Sequence, residues 1–104
     1  MTGPVGSAPR RGDVWSTDAG VPVLVVSSTV YNEIPSEPTV VIVPIFDSEP
    51  DAGFGVEVGE GWAAPGMISS LRKLRLSALL RHVDVQTLTE VNTMVFRILA
   101  TPER

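Results

Sequence analysis

The stretch Thr39–Phe46 reads Thr-Val-Val-Ile-Val-Pro-Ile-Phe, and it has no charged residue and no polar side chain after its first position. A short, continuous run of β-branched residues is typical of a strand buried on both faces. Pro44 cannot donate a hydrogen bond to a neighbouring strand. The sequence therefore predicts a buried strand with an edge or a bulge near Pro44.

Four further segments have the composition of strands. Pro22–Ser28 is a second continuous β-branched run, and Phe54–Val58 alternates apolar and other residues. The remaining two are Asp13–Thr17 and Met67–Leu76, the latter mixing apolar and basic residues. The segments between them are predicted to be the turn Asp18–Gly20, the loops Thr29–Pro38 (with one helical turn), Asp47–Gly53 and Gly59–Gly66, and a short helical turn at Leu76–Leu80.

The C-terminal part has the pattern of a helix. Asp84 is a good N-cap, and Pro102 ends the segment, so we predict a helix over Val85–Ala100. Its expected core residues are Val85, Leu88, Val91, Val95, Ile98 and Leu99. Five short strands followed by one helix predict a mainly β (α+β) fold, a partly open barrel of about five antiparallel strands.

Length and composition restrict the classes of protein. The 104 residues suit one domain, for which we expect residues 1–9 to be a flexible tail and 10–104 the folded part. No cysteine is present and His82 is the single histidine, so neither a disulfide nor a multi-histidine metal centre forms within one chain, and no cofactor is expected. The apolar runs are too short to cross a membrane, and the N-terminus lacks a secretory pattern, so we expect a cytoplasmic protein.

Charge is unevenly distributed along the chain. The net charge is −4, yet residues 12–71 contain nine acidic and no basic residues. The cations available to bind phosphates are the pair Arg10–Arg11 and the cluster Arg72, Lys73, Arg75 and Arg81. These residues form either ordinary solvated faces or a nucleic-acid-binding patch.

Other combinations are weaker indications of chemistry. His82 with Ser69 or Ser70 and Asp84 would formally make a catalytic triad, but the spacing does not support one, and a structural histidine is favoured. The acidic residues Asp47, Glu49 and Asp51 lack the pattern of a calcium loop. Trp15 and Trp62 are expected in the barrel core with their ring N–H groups at its rim, base stacking being the alternative.

The order of several motifs resembles the MazF/PemK toxins of type II toxin–antitoxin systems. Arg11–Trp15 resembles the opening of that family, and Pro22–Val26, Asn32, Pro38–Ile45 and Ser70–Leu74 follow in the family's order. The resemblance covers residues 10–99. It implies an SH3-like barrel, a homodimer, a cognate antitoxin whose extended segment lies across the active groove, and cleavage of single-stranded RNA (mRNA) as an endoribonuclease.

The resemblance also implies where catalytic residues belong. The family's basic residue falls at Val21, its hydroxyl at Phe46, and an arginine–aspartate pair at Met67 and Ser69; this chain has none of these side chains. Arg72 matches a second family arginine, and Asp47 and Ser48 directly follow Phe46. We therefore expect Arg72, Ser48 and Asp47 to be catalytic. We expect RNA to be bound by Arg10, Arg11, Lys73 and Arg75.

A second interpretation rests on the helix. Val91–Ile98 resembles the closing pattern of the CcdB gyrase poisons, which act by binding DNA gyrase and are not nucleases. The alternative functions are therefore a non-nuclease poison of that kind, or an inactive toxin homologue that only binds antitoxin. Ordinary helix packing explains the same segment, with Val91, Val95 and Ile98 in the core and Asn92 and Arg97 facing solvent.

Overall fold

The computed structural model describes residues 8–51 and 53–100, which form one antiparallel sheet and a C-terminal helix. The strands are β1 (Asp13–Thr17), β2 (Val23–Val25), β3 (Thr39–Phe46), β4 (Val56–Val58), β5 (Gly61–Ala63), β6 (Ser69–Arg72) and β7 (Leu76–His82). Helix α1 spans Thr29–Asn32, helix α2 spans Val85–Ala100, and 3₁₀ turns cover Pro65–Met67 and Lys73–Arg75. The predicted mainly β fold with a C-terminal helix is confirmed.

Five of the strands form a barrel. They are hydrogen-bonded in the order β6-β3-β2-β1-β7, and the three-residue turn Lys73–Arg75 joins β6 to β7 covalently. Within the described residues no hydrogen-bonded ladder links β6 to β7, so the barrel is partly open. The hairpin β4–β5 extends the sheet beyond the Phe46 end of β3.

Three local predictions were wrong. Leu76–Leu80 is not a helical turn but part of β7, because the free edge of β1 pairs with it from Leu76 to His82. Gly59–Gly66 is not only a loop, since it contains β5, which pairs with β4 and β3. The predicted strand Met67–Leu76 is divided by the turn Lys73–Arg75. In each case pairing with a distant strand decided the structure, and local composition did not reveal it.

Two apolar clusters lie on opposite faces of the sheet. Leu24 belongs to the cluster under α2, which also contains Val14, Val43 and Val91. Val23 and Val25 point the other way, into the barrel interior with Val40, Ile42, Trp15, Leu71 and Leu76. All three residues of β2 are buried, so the prediction of a strand covered on both faces is confirmed.

Pro44 lies in a central strand, not at an edge of the sheet. On one side of β3, β6 pairs with residues 39–42 and β5 with residues 45 and 46. Pro44 therefore falls between two partner strands, and its carbonyl accepts a hydrogen bond from Ala64 N–H at 3.0 Å. A residue without an N–H fits this gap, because no strand requires a donor there.

Helix α2 packs one side against the sheet. Asp84 caps it by accepting a hydrogen bond from Thr87 N–H at 2.7 Å, as predicted. Val91 is buried, and Met94 and Val95 pack beside it. The prediction that Val85 and Leu99 belong to the core was wrong: they are 80% and 71% exposed. Together with Phe96, at 71% exposed, they form a second apolar stripe that faces solvent.

The N-terminal end of the domain is anchored by a buried amide. Asn32 is fully buried, and its Nδ2 donates to the carbonyls of Pro9 at 2.9 Å and Ser27 at 3.1 Å. The Ser27 hydroxyl donates to Asn32 Oδ1. Pro9 is itself buried, so the folded part begins by this residue; residues 1–7 of the expected tail lie outside the described residues.

Candidate functional site

A cavity of about 680 Å³ lies where the segment after β3 meets the turn Pro65–Met67 and the end of α2. We call it the Phe46–Met67 cavity. Its lining consists of Phe46, Ser48, Glu49, Pro50, Asp51, Phe54, Ala64, Pro65, Gly66, Met67 and Ile98. Most of these side chains are apolar, and the acidic residues Glu49 and Asp51 are the charged ones.

Close packing of side chains against Gly55 shapes one wall of the cavity, and the turn Pro65–Met67 forms another. A Cβ atom at Gly55 would lie 2.5 Å from Pro50 Cδ and 3.3 Å from the Trp62 ring, so the acidic loop folds tightly back on β5. On the other wall, a Cβ atom at Gly66 would contact Ile98 Cδ1 at 3.8 Å. Glycine at position 55 therefore allows the loop to approach its neighbours, whereas a side chain at position 66 would make an ordinary van der Waals contact.

Three of the four positions at which the MazF/PemK resemblance implies catalytic residues lie at this end of the sheet with apolar side chains, whereas the fourth, Ser69, pairs with Ile42 in β3. Phe46 and Met67 line the cavity. Val21 lies at the same end of the sheet, because Ile45 N–H donates to the carbonyl of Pro22 at 2.9 Å. None of these three side chains can transfer a proton or stabilise phosphate charge.

The three residues expected to be catalytic are divided between two places. Ser48 lines the Phe46–Met67 cavity, and Asp47 is exposed beside it. Arg72 pairs with Thr39, at the opposite end of β3. An eight-residue strand extends for about 25 Å. Within one chain, Arg72 therefore cannot act on the same phosphate as Ser48 or Asp47.

The expected RNA-binding residues are partly brought together around α1. Arg11 N–H donates to the hydroxyl of Thr29 at 3.1 Å, and Lys73 Nζ donates to the carbonyl of Ile34 at 3.3 Å. Lys73 also lines a groove of about 350 Å³ with Trp15. Arg10 is exposed nearby in the chain, whereas Arg75 forms an ion pair with Asp18 at 3.0 Å.

Sequence reasoning missed the pair formed by Asp13 and His82. Nδ1 of His82 lies 2.8 Å from Oδ1 of Asp13, so the histidine is oriented by Asp13 and not by Asp84, as the formal triad required. The pairing of β1 with β7 brings them together, and this pairing was not predicted. The only local signal was an acidic residue inside a buried strand.

The described residues contain neither a metal-binding cluster nor a membrane-spanning helix. In the described residues, no group of three or more His, Asp or Glu side chains is arranged to hold a metal ion. None of the helices in that part of the chain has the length and apolar character needed to span a membrane.

Residues 10–99 match the family described as PemK-like, MazF-like toxins of type II toxin–antitoxin systems. The chain belongs to this family. The match covers the barrel and nearly all of α2, so the toxin fold is present as a whole.

Solved structures are similar to this toxin over nearly its entire length. An endoribonuclease from a mycobacterial species has a TM-score of 0.81 and 27% identity, covering 93% of this chain and 96% of that chain. An endoribonuclease in complex with its cognate antitoxin, also mycobacterial, has a TM-score of 0.78 and 27% identity over 93% and 98% of the two chains. MazE–MazF from Deinococcus radiodurans has a TM-score of 0.79, 20% identity, and coverage of 91% and 99%; at that identity it shows the fold alone. No curated protein sequence matches significantly.

These comparisons also bear on the alternative based on the CcdB gyrase poisons. The similar structures named above are endoribonucleases or MazF proteins. They do not favour a gyrase poison, and Val91, Val95 and Ile98 pack against the sheet or line the cavity, as the helical pattern indicates.

Proposed function

We propose that this toxin is an endoribonuclease that cleaves single-stranded RNA in the cytoplasm with an atypical active site. The observation that carries the proposal is the full-length similarity, at 27% identity, to an endoribonuclease. Phe46 and Met67 replace the expected catalytic groups, so the chemistry must come from neighbouring polar residues. Asp47 and Ser48 are the nearest along the chain, and we assign proton transfer to the Asp47 carboxylate and hydrogen bonding of the phosphate to the Ser48 hydroxyl.

RNA binding is assigned to the opposite end of β3. Arg10, Arg11, Arg72 and Lys73 supply cations there, and the groove beside Trp15 offers an aromatic face for a base. RNA that contacts both Arg72 and Ser48 has to extend along the sheet, so we expect a recognition sequence of several nucleotides. If four phosphates are contacted, a plot of the logarithm of the RNA-binding constant against the logarithm of the salt concentration should have a slope of roughly −3.

Homodimer formation is proposed from exposed apolar residues on β7 and α2. Leu79 and Leu80 are 54% and 49% exposed, and the stripe of Val85, Phe96 and Leu99 follows in α2. Within the described residues, β7 pairs only with β1, so its other edge is open. An open edge beside exposed apolar side chains favours an interface between two copies.

Binding of a cognate antitoxin is the remaining part of the proposal. One similar endoribonuclease was solved in complex with its antitoxin, and it shares 27% identity with this chain. We place the antitoxin segment across the Phe46–Met67 cavity, where it would cover Ser48.

The test is incubation of purified, antitoxin-free protein with a long single-stranded RNA, followed by mapping of new 5′ ends. We expect cleavage at a defined sequence, lost in Ser48→Ala and Asp47→Ala and weakened through KM in Arg72→Ala. The conservative variant Arg72→Lys should restore most of the binding. Absence of cleavage by a folded, dimeric sample would reject the ribonuclease and leave an inactive, antitoxin-binding homologue.

A further inference from the structure

We propose that the Phe46–Met67 cavity binds a protein segment that inserts one large apolar side chain and carries lysine or arginine on either side of it. This proposal states the chemistry of the antitoxin segment. It rests on the antitoxin binding proposed above for the identity of the partner. It does not depend on ribonuclease activity.

The apolar lining indicates the inserted side chain. Phe54 and Met67 are 40% and 57% exposed at the cavity, and Phe46, Pro65 and Ile98 contribute further apolar surface. The volume of about 680 Å³ lies within the range of roughly 300–1,000 Å³ that holds ligands. An aromatic or long aliphatic side chain removes this surface from water, which a nucleotide phosphate cannot do.

The charges indicate the neighbours of that side chain. Glu49 and Asp51 line the cavity, and Asp47 is exposed immediately before Ser48. Among the lining residues, all within the described part of the chain, none is basic. Three carboxylates attract a cationic segment and repel a polyanion, so a peptide with lysine or arginine is favoured over RNA as the occupant.

The walls of the cavity are preformed, which favours binding of an extended segment without rearrangement. The packing of Pro50 on Gly55 holds the loop Asp47–Asp51, and the turn Pro65–Met67 lies against α2 on the opposite wall. A site that is already shaped loses less conformational entropy when a partner binds.

The experiment is an NMR titration of the ¹⁵N-labelled protein with end-blocked synthetic peptides. We expect Gly-Lys-Phe-Lys-Gly to shift the backbone amide resonances of residues 46–49, 51, 53, 54, 64, 66 and 67, since Pro50 and Pro65 have no N–H. Gly-Lys-Ala-Lys-Gly and Gly-Glu-Phe-Glu-Gly, which remove the anchor or reverse the charge, should each bind at least about tenfold more weakly. Equal affinity for the lysine and glutamate peptides, or no shift of these resonances with any peptide, would overturn the proposal.

Variants separate the cavity from general surface effects. Met67→Lys should abolish the shifts, whereas the matched control Leu74→Lys, at a residue 90% exposed outside the cavity, should leave them unchanged. The double variant Glu49→Gln with Asp51→Asn should bind the lysine peptide severalfold more weakly than the wild type does. Its affinity for the glutamate peptide should not fall. Contacts of RNA with Asp47 and Ser48 are expected from the proposed cleavage. Stronger shifts of the Phe54 and Met67 amides by hexauridylate than by the lysine peptide, or shifts of the same two amides on raising the protein concentration alone, would assign the apolar part of the cavity to RNA or to a second copy and reject the proposal.

The same protein preparation distinguishes the two proposals. Cleavage of RNA without peptide binding rejects only the cationic segment, and peptide binding without cleavage rejects only the ribonuclease.

Discussion

Nδ1 of His82 lies 2.8 Å from Oδ1 of Asp13, and this contact joins the last residue of β7 to the first residue of β1. The carboxylate of Asp13 is buried, and its Oδ2 accepts hydrogen bonds from Arg10 N–H at 2.8 Å and from the ring N–H of Trp15 at 3.3 Å. One buried acidic side chain therefore accepts hydrogen bonds from two N–H donors and contacts the ring of His82. Its loss would leave these donors without their partner.

Replacing Asp13 should destabilise the barrel. We expect Asp13→Ala to lower the free energy of unfolding by about 1–3 kcal/mol, the usual cost of leaving buried groups unpaired. Equilibrium unfolding in urea measures the change. The control is Asp18→Ala, whose exposed ion pair with Arg75 should contribute roughly 0–1 kcal/mol. Equal losses for the two variants would contradict a special role of Asp13.

The helix cap should make stability depend on pH. The side chain and backbone N–H of Thr87 hydrogen-bond to Asp84 and hold the pKa of its carboxyl below the ordinary value of 3.8. Because the folded state favours the ionised form, the stabilisation is present above pH 3.8 and is lost as the pH falls below it. Asp84→Asn retains an acceptor but cannot ionise.

Thermal unfolding followed by circular dichroism tests this prediction. The melting temperature of the wild type should exceed that of Asp84→Asn at pH 6, and the difference should shrink as the pH falls below 3.8. Glu90→Gln, which removes an exposed carboxylate from the same helix, serves as the control. A difference that stays constant over the whole range would show that ionisation of the cap does not matter.

Restoring the groups that the family resemblance implies should increase cleavage. Val21 is 36% exposed and lies at the same end of the sheet as Phe46, so Val21→Arg with Phe46→Thr places a cation and a hydroxyl beside each other. We expect RNA cleavage to rise at least about tenfold, since one such charge-stabilising group is worth roughly 10²–10³ in rate. Single-turnover cleavage is the measurement.

The matched control for that double variant is Val21→Gln with Phe46→Val, which changes the same positions without adding a cation or a hydroxyl. Comparable cleavage by both double variants would mean that opening the cavity, and not the restored chemistry, changes the rate.

The exposed stripe on α2 should control oligomeric state. Phe96→Glu puts a charge into the proposed interface, so we expect monomers in analytical ultracentrifugation at concentrations where the wild type is dimeric. Thr93→Glu adds the same charge at another exposed position of α2 and should leave the dimer intact. Identical sedimentation of the Phe96→Glu and Thr93→Glu variants would show that Phe96 is not part of the dimer interface.

Sequence reasoning succeeded where burial and local pattern agree. The continuous apolar runs of β2 and β3 are buried on both faces, and the spacing after Asp84 gives α2 with its bounds. It failed where a distant partner decides the outcome. Leu76–Leu80 is short and locally ambiguous, and the open edge of β1 makes it a strand.

The candidate site shows the same division. The resemblance identified Phe46 and Met67 as positions of interest, and the fold brings both to one cavity. The separation of Arg72 from Ser48 could not be read from spacing, because it follows from the register of β6 on β3. Asn32 was noted only as part of a motif, whereas its bonds to Pro9 and Ser27 explain why an amide is required there.

The register of β6 on β3 also places two cations and three carboxylates at opposite ends of one strand. Arg72 and Lys73 stand beside the Thr39 end of β3, and Asp47, Glu49 and Asp51 follow its Phe46 end. We expect this separation of charge to favour approach of a polyanion from the Arg72 and Lys73 end despite the net charge of −4, an effect that Glu37 beside Thr39 reduces. The attraction acts over about 10 Å at 0.1 M salt, and raising the salt concentration weakens it.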